Sequence, residues 1–195
     1  ALTMIIGLVV GIVSGYYGGR VDNFIMRLVD FVMIIPGFIL FITLNTILKA
    51  NTVLGISLTF SVIYWTSYAR LFRTRTLSEA SKDYINASKT MGTRDWKIML
   101  TELLPNISSL IITQLVLSMA GNIGLETGLS YLGFGLPIGT PSLGTLIGTA
   151  KTADIIENKQ WVWLPAALFI LVLMLCINYI GQAVQRSTDA RQRLG

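Results

Sequence analysis

The sequence predicts an all-α, polytopic membrane protein with about five transmembrane helices, on three observations. The chain's 195 residues are 53% hydrophobic and only 13% charged, whereas soluble domains carry about a quarter charged residues. The apolar residues gather into runs long enough to span a bilayer, about 20 residues where complete. The cations sit between those runs and favour alternate intervals. A single membrane domain over 1–195 is expected, with a polar loop at 70–105 and an outer loop at 138–160.

The first span is 2–17, LTMIIGLVVGIVSGYY. Gly7, Gly11 and Gly15 recur every four residues, either as a stripe for close helix approach or as the ordinary glycine usage of membrane helices. Ala1 already lies in an apolar stretch with no basic region before it, so a signal peptide is not indicated. An N-terminal part, including another span, is expected to precede it. After a short connection at 18–23, the second span runs over 26–48, with Asp30 near its start, Pro36-Gly37 near its middle and Asn45 near its end. Pro36 is expected to kink or open the helix, as a gate or as a plain kink. Near the interface Asp30 stays hydrated; deeper, it would be a functional candidate.

The third span, 53–69, ends in Tyr64, Trp65 and Tyr68 beside Arg70, Arg73 and Arg75, an interfacial belt followed by an exit from the membrane. The fourth span, 107–125, continues into ETGLSYLGFGLP, whose glycines and Pro137 end regular structure. A short helix over 142–153 is expected in the outer loop. The last span covers 161–180, and the basic tail QRSTDARQRLG closes the chain.

Charge placement orients these spans. Intervals 18–27, 70–105 and 182–195 hold Arg20, Arg27, Arg70, Arg73, Arg75, Lys82, Lys89, Arg94, Lys97, Arg186, Arg191 and Arg193. The opposite loops hold only Lys49, Lys151 and Lys159. The positive-inside rule therefore puts 70–105 and the tail in the cytoplasm. The net charge of +5 is explained by topology and not by nucleic acid. With one cysteine, Cys176, and no histidine, an internal disulfide is excluded and a Cys/His metal site is disfavoured. No nucleophile–base pair or metal set suggests an enzyme.

Within 70–105, Thr76-Leu-Ser-Glu79 has capping-box spacing. Ala80, Tyr84, Ala87 and Met91 then share one helical face, and Gly92 is expected to end that helix. Thr93 would cap a second helix with Trp96, Met99, Leu100 and Leu103 on its apolar face, closed by Pro105. Two amphipathic helices hinged at Gly92 form either a knob that docks into a partner's groove or a solvated surface hairpin.

The stretch NASKTMGTRDWKIMLTELLP resembles the EAA loop of bacterial ABC-importer permeases. Asn86, Ala87 and Ser88 stand at its three opening positions, Gly92 at its glycine, Glu102 at its isoleucine and Leu104-Pro105 at its close. Asn86, Ser88 and Glu102 depart from the general pattern. SGYYGGRVDNFIMRLVD, GLSYLGFGLP with the following PSLG, and the terminal DARQR are similar to the peptide and nickel permease group, above all its C-type subunit in oligopeptide and dipeptide importers. The similarity covers essentially the whole chain.

That resemblance implies a multi-pass subunit of the bacterial cytoplasmic membrane in an ATP-driven importer. Its partners would be a homologous second permease subunit, two cytoplasmic ABC ATPase subunits, an extracytoplasmic substrate-binding protein and the lipid bilayer, without nucleic acid. No cofactor is expected in this chain, ATP and Mg residing on the ATPases; a GxxxxGK[ST] loop is absent. Peptide is the implied cargo, with nickel or a metal chelate as the alternative. A secondary transporter or channel is more remote, since no internal repeat or paired broken helices are visible. The implied coupling positions are Asp83, Tyr84, Asn86, Ala87, Ser88, Gly92, Trp96, Leu104 and Pro105. Pro36, Asn45, Asn122 and Glu126 are candidates for a translocation path or gate, with interhelical packing as the alternative for the polar ones. Glu126 coincides with an acidic position of the family, while Thr127-Gly128 departs from its Ala-rich form.

Overall fold

Helix α1 (Leu2–Tyr17) carries its three glycines on the face turned to helix α4 (Val53–Ala80). A Cβ on Gly7 would lie 2.7 Å from the Trp65 carbonyl oxygen, one on Gly11 2.7 Å from that of Ala69, and one on Gly15 2.7 Å from Thr76 Cβ. The stripe is therefore a packing device: only glycine lets these two backbones come so near. The computed structural model describes residues 1–48, 52–137 and 139–192, without the side chains of 188–192. Lys49 and Arg193, and the side chain of Arg191, which entered the charge asymmetry, lie outside what is described. So does part of the DARQR segment. Every element among the described residues is helical. The chain forms two compact units, one of Ala1–Thr43 with Leu58–Ser109 and one of Leu44–Ser57 with Leu110 onward.

In the first unit, Gly18 (φ 61°) and Gly19 (φ 51°) take backbone angles that favour glycine. They let the chain reverse from α1 directly into α2 (Gly19–Ile34). The second span is therefore not one helix over 26–48. It begins at Gly19 and breaks at Ile35-Pro36 into α2 and α3 (Gly37–Leu48), bent by 80°. Ile35 is extended (ψ 126°), as steric contact with the proline ring demands of the residue before it. A Cβ on Gly37 would lie 3.1 Å from the Tyr64 ring, and Phe41, fully buried, packs on Phe60 at 4.6 Å between ring centres.

Helix α4 also departs from expectation. It does not stop at the membrane exit but runs 28 residues through Arg70 to Ala80. That is about 42 Å at helical rise, against a hydrocarbon core of about 30 Å. Thr76 and Glu79 accordingly lie inside this helix and cap nothing. The reason is visible in the pattern: Ala69, Phe72, Thr76 and Glu79 are all buried at spacings of three and four, so the inward face of the helix continues past the charged residues.

In the second unit, α8 (Ser108–Leu132) extends past the expected 125 and stops at Gly133 (φ 91°). The Phe134 N–H donates to the Leu129 carbonyl (2.8 Å) and the Gly133 N–H to that of Ser130 (3.1 Å), the paired bonds of a Schellman end. Helix α9 (Leu143–Gly148) is capped by a reciprocal box between Ser142 and Thr145. The helix expected over 142–153 is thus two, because the chain turns after Gly148 and resumes as α10 (Ala153–Asn158). Helix α11 (Gln160–Gln192) packs on α9 and α10 and meets α8 where Gly181 faces Leu117 and Gly124 faces Met174.

By length and composition α8 and α11 (as far as Ser187) are each able to cross a membrane, and the bent α2–α3 pair together forms a third candidate. α1 is shorter, at 16 residues, and Ser, Thr, Tyr and Trp dilute the apolar half of α4. The protein is an all-α polytopic membrane protein.

Candidate functional site

The polar interval builds a compact knob at the end of α4. Its base is the Glu79 carboxylate, almost wholly buried. Lys82 Nζ donates to it (3.0 Å), the Tyr84 hydroxyl donates to it (3.2 Å) and Arg75 pairs with it (3.3 Å). A carboxylate taken out of water needs such partners, and here they fasten the turn at 81–82 to the helix after it. Burial, with the Glu79 charge beside it, pushes the Tyr84 phenol up to about 12, so this hydroxyl stays a donor at neutral pH.

Helix α5 (Asp83–Thr90) follows. Its buried residue is Ile85, not the face of Ala87 and Met91 that periodicity suggested; Tyr84 and Ala80 are partly buried beside it. The face is rotated because α4 continues to Ala80 and the break falls at 81–82, which resets the helical phase. Gly92 (φ 78°) ends α5 as expected: its N–H donates to the Lys89 carbonyl (3.0 Å) and the Thr93 N–H to that of Ser88 (3.1 Å).

The second helix, α6 (Asp95–Ile98), starts after Arg94 without a side-chain cap, so Thr93 does not cap it. It passes without a break into a π-helical turn at Met99–Leu103 and then α7 (Leu104–Asn106). Pro105, lacking an N–H, stands in the first turn of α7 and does not close the knob; the preceding π-turn alters the hydrogen-bond register where an α-helical donor is missing. Ile98 and Leu103 are fully buried against Ile85 and Tyr16. Two of the three departures from the EAA pattern meet: the Ser88 hydroxyl donates to the Glu102 carboxylate at 2.9 Å. At two positions where the pattern has apolar residues, this chain has a hydrogen bond.

What remains outward is a mixed tip. Met91 is 84% exposed, Trp96 56% and Leu100 56%, and Asp83, Asn86, Ala87 and Gly92 are exposed as well. Tyr84 and Ser88 turn inward instead, and Leu104 is half-buried.

Two charged pairs that no local pattern announced tie α2 to α4. Buried Asp22 accepts from Ser14 Oγ (2.5 Å) and Arg73 Nε (2.5 Å) and pairs with Arg73 Nη2. Asp30 pairs with Arg70 (2.5 Å) in a more open setting.

The polar residues proposed for a path lie in the second unit. Asn45 is buried and donates to the Phe134 carbonyl (3.2 Å), leaving its Oδ1 without a partner. Glu126 accepts from Ser130 Oγ (2.8 Å) and Ser142 Oγ (3.1 Å). Its Oε2 stands where a Cβ on Gly144 would come within 2.5 Å. Both residues thus secure the segment between α8 and α9, which surrounds an open cavity of about 1020 Å³ lined in part by Ser130, Gly133, Thr145 and Lys151. Asn122 is exposed, and Pro36 marks the 80° bend in the first unit.

Residues 7–193 match the family described as binding-protein-dependent transport system inner membrane component. The chain is 47% identical over 191 residues to the oligopeptide transport system permease protein OppC of Lactococcus lactis subsp. lactis, an alignment covering 98% of this chain and 65% of that protein. It is 35% identical over 193 residues to OppC of Mycobacterium tuberculosis (96% and 64% covered). Against the dipeptide transport system permease protein DppC of Haemophilus influenzae the identity is 32% over 193 residues (97% and 63%). The chain therefore spans a little under two thirds of the length of each of these relatives.

Proposed function

Because the chain belongs to the binding-protein-dependent transport system inner membrane component family, we propose that it is a membrane-spanning subunit of an ATP-driven importer that carries peptides into a bacterial cell. In this reading the 70–105 interval and the C-terminal tail face the cytoplasm, a placement the charge asymmetry supports. The α5–α6 knob seats in a groove of partner ATPase subunits, which bind ATP and Mg. A second, homologous permease subunit completes the membrane part, and an extracytoplasmic binding protein delivers the cargo. This subunit performs no covalent chemistry.

The observation that carries the reading is the knob itself. Its base is buried and braced by Glu79, while Met91, Trp96 and Leu100 stand exposed on a charged loop, where an apolar tip calls for a protein partner. Asp83, Asn86, Ala87 and Gly92 are exposed as well. Tyr84, Ser88, Leu104 and Pro105 hold its shape. The uninterrupted α4 joins the knob to the membrane, so nucleotide-driven movement of the ATPases biases the spans between two states by differential contact with the knob. Asn122 and the Pro36 bend are the candidate path and gate positions, with Asn45 and Glu126 supporting the outer segment.

The test is uptake of a labelled peptide into proteoliposomes that hold this subunit, its partner permease, the ATPases and the binding protein. Vanadate-sensitive uptake is expected, and uptake that persists without the ATPases overturns the reading. Peptide is favoured over nickel chelates because the similar proteins named above carry oligopeptide and dipeptide in their names. Competition by a nickel chelate but not by unlabelled peptide reverses that preference.

A further inference from the structure

We propose that Tyr16, at the end of α1, braces the two coupling helices against each other, so that displacement of the knob passes into the α1–α4 pair instead of being absorbed by bending at Gly92. The proposal rests on the coupling role given above and assigns a transmitting residue outside the loop.

Gly92 alone does not make the knob stiff. It is exposed, and a Cβ built there meets nothing within 4 Å, so at the turn itself only two backbone hydrogen bonds act; the arms are held below it, by Ile85 against Ile98 and Leu103 and by the Ser88–Glu102 bond. Tyr16 touches both arms. Its hydroxyl donates to Asp95 Oδ1 on α6 at 2.8 Å. Lys89 Nζ, on α5, lies 4.4 Å from the centre of its ring, within the range of a cation–π contact. The ring itself is buried with Ile85, Ile98 and Leu103. One side chain from a membrane helix thus engages residues three before and three after the hinge glycine.

The other end of the brace is equally firm. Tyr16 follows Gly15, whose Cα sits against Thr76 of α4 with no room for a Cβ. Rotation of the knob about Gly92 must break the Asp95 bond or drag α1 along, and α1 is seated on α4 along its whole glycine stripe. Closely packed elements transmit small displacements because they have little slack to take them up.

The test uses the complete importer in proteoliposomes and compares wild type with Tyr16→Phe, Asp95→Ala and Asp95→Asn. Peptide taken up per ATP hydrolysed is measured for each, together with the distance distribution between nitroxides at Thr90→Cys and Lys97→Cys. Tyr16→Phe keeps the ring over Lys89 and removes only the hydroxyl. Both it and Asp95→Ala are expected to lower uptake per ATP about tenfold, the size expected from losing a hydrogen bond to a charged group, and to broaden the distance distribution. Asp95→Asn retains an acceptor oxygen and is expected to stay within about twofold of wild type, since a neutral bond is weaker but still made. An unchanged ratio or an unchanged distribution in Tyr16→Phe overturns the brace, as does failure of that variant to assemble, which would mark a folding role only. Should the wild-type complex itself show no ATP-driven uptake, the coupling reading fails, and the brace is then judged by the nitroxide distances alone.

Discussion

Replacing Gly11 by alanine should push α1 off α4. The added methyl would stand 2.7 Å from the Ala69 carbonyl oxygen, 2.8 Å from Phe72 Cβ and 2.9 Å from Arg73 N. Ordinary carbon contacts lie at about 3.5–4.0 Å, so α1 must retreat by roughly 0.7–1 Å. None of the three opposing atoms is able to swing aside, because each is backbone or Cβ of an unbroken helix. The retreat loosens Ala69 and Phe72, both fully buried, and strains the Ser14–Asp22 bond one turn along. Overpacking of this kind costs about 1–3 kcal/mol. Alanine recovers up to about 1 kcal/mol through its higher helix propensity. With that recovery in full the net loss is up to about 2 kcal/mol, a fall in Tm of up to about 8 °C for a chain of this size. Thermal unfolding of the detergent-solubilised subunit measures it, with Gly121→Ala as the control. Gly121 is a helical glycine with nothing within 4 Å of its Cβ position, so that change should be neutral or mildly stabilising. Equal melting temperatures for Gly11→Ala and Gly121→Ala would refute the packing argument.

Four further outcomes follow from the same geometry. Gly92→Asn should be mild and Gly92→Pro severe in peptide uptake, because Asn tolerates a φ of 78° whereas proline forces a negative φ and removes the N–H bonded to Lys89. Asp22→Ala should destabilise the subunit by about 2 kcal/mol, between surface and buried ion-pair values, since its side chain is 8% exposed and that of Arg73 28%. Asp30→Ala, in a pair 62% and 48% exposed, should cost under about 1 kcal/mol, and chemical denaturation of both variants checks the order. Ser142→Ala removes the α9 cap and a Glu126 contact, a loss of about 1–2 kcal/mol that should appear as faster proteolysis between 133 and 148. The Tyr84 phenol, raised above its unfolded value, adds stability that is complete below about pH 10 and is lost as pH rises from there. The difference in Tm between wild type and Tyr84→Phe should therefore stay constant from pH 6 to 9 and shrink above about pH 10, as melting curves in each buffer would show.

Local signals in the sequence were sound where the cause was local. The Gly92 turn, the Pro36 break and the four-residue glycine spacing each follow from the backbone chemistry of the residue concerned, and each stands where expected. The errors arose where a local pattern had two meanings. Thr76 and Glu79 have capping-box spacing, yet the same spacing places them on the buried face of a continuing helix, and only the packing against α1 separates the two. Ile85 escapes a periodic pattern because α4 ends at Ala80 and α5 begins at Asp83 with a new helical phase. Pro105 looked like a stop, although a π-turn before it lets the helix run on. Asp22 and Arg73 are 51 positions apart, and no window joins them.

A helical membrane protein with its cations on alternate intervals, and a charged loop that turns on a glycine, are both legible before the chain folds. Those properties follow from composition, period and backbone preference, which act within a few residues. Tertiary structure decided that the glycine stripe meets α4 and that Glu79 and Asp22 become buried charges with partners. It also decided that Ser88 answers Glu102 and that Tyr16 reaches across the hinge. These depend on which surfaces meet after the chain has folded back, so only the packed structure reveals them.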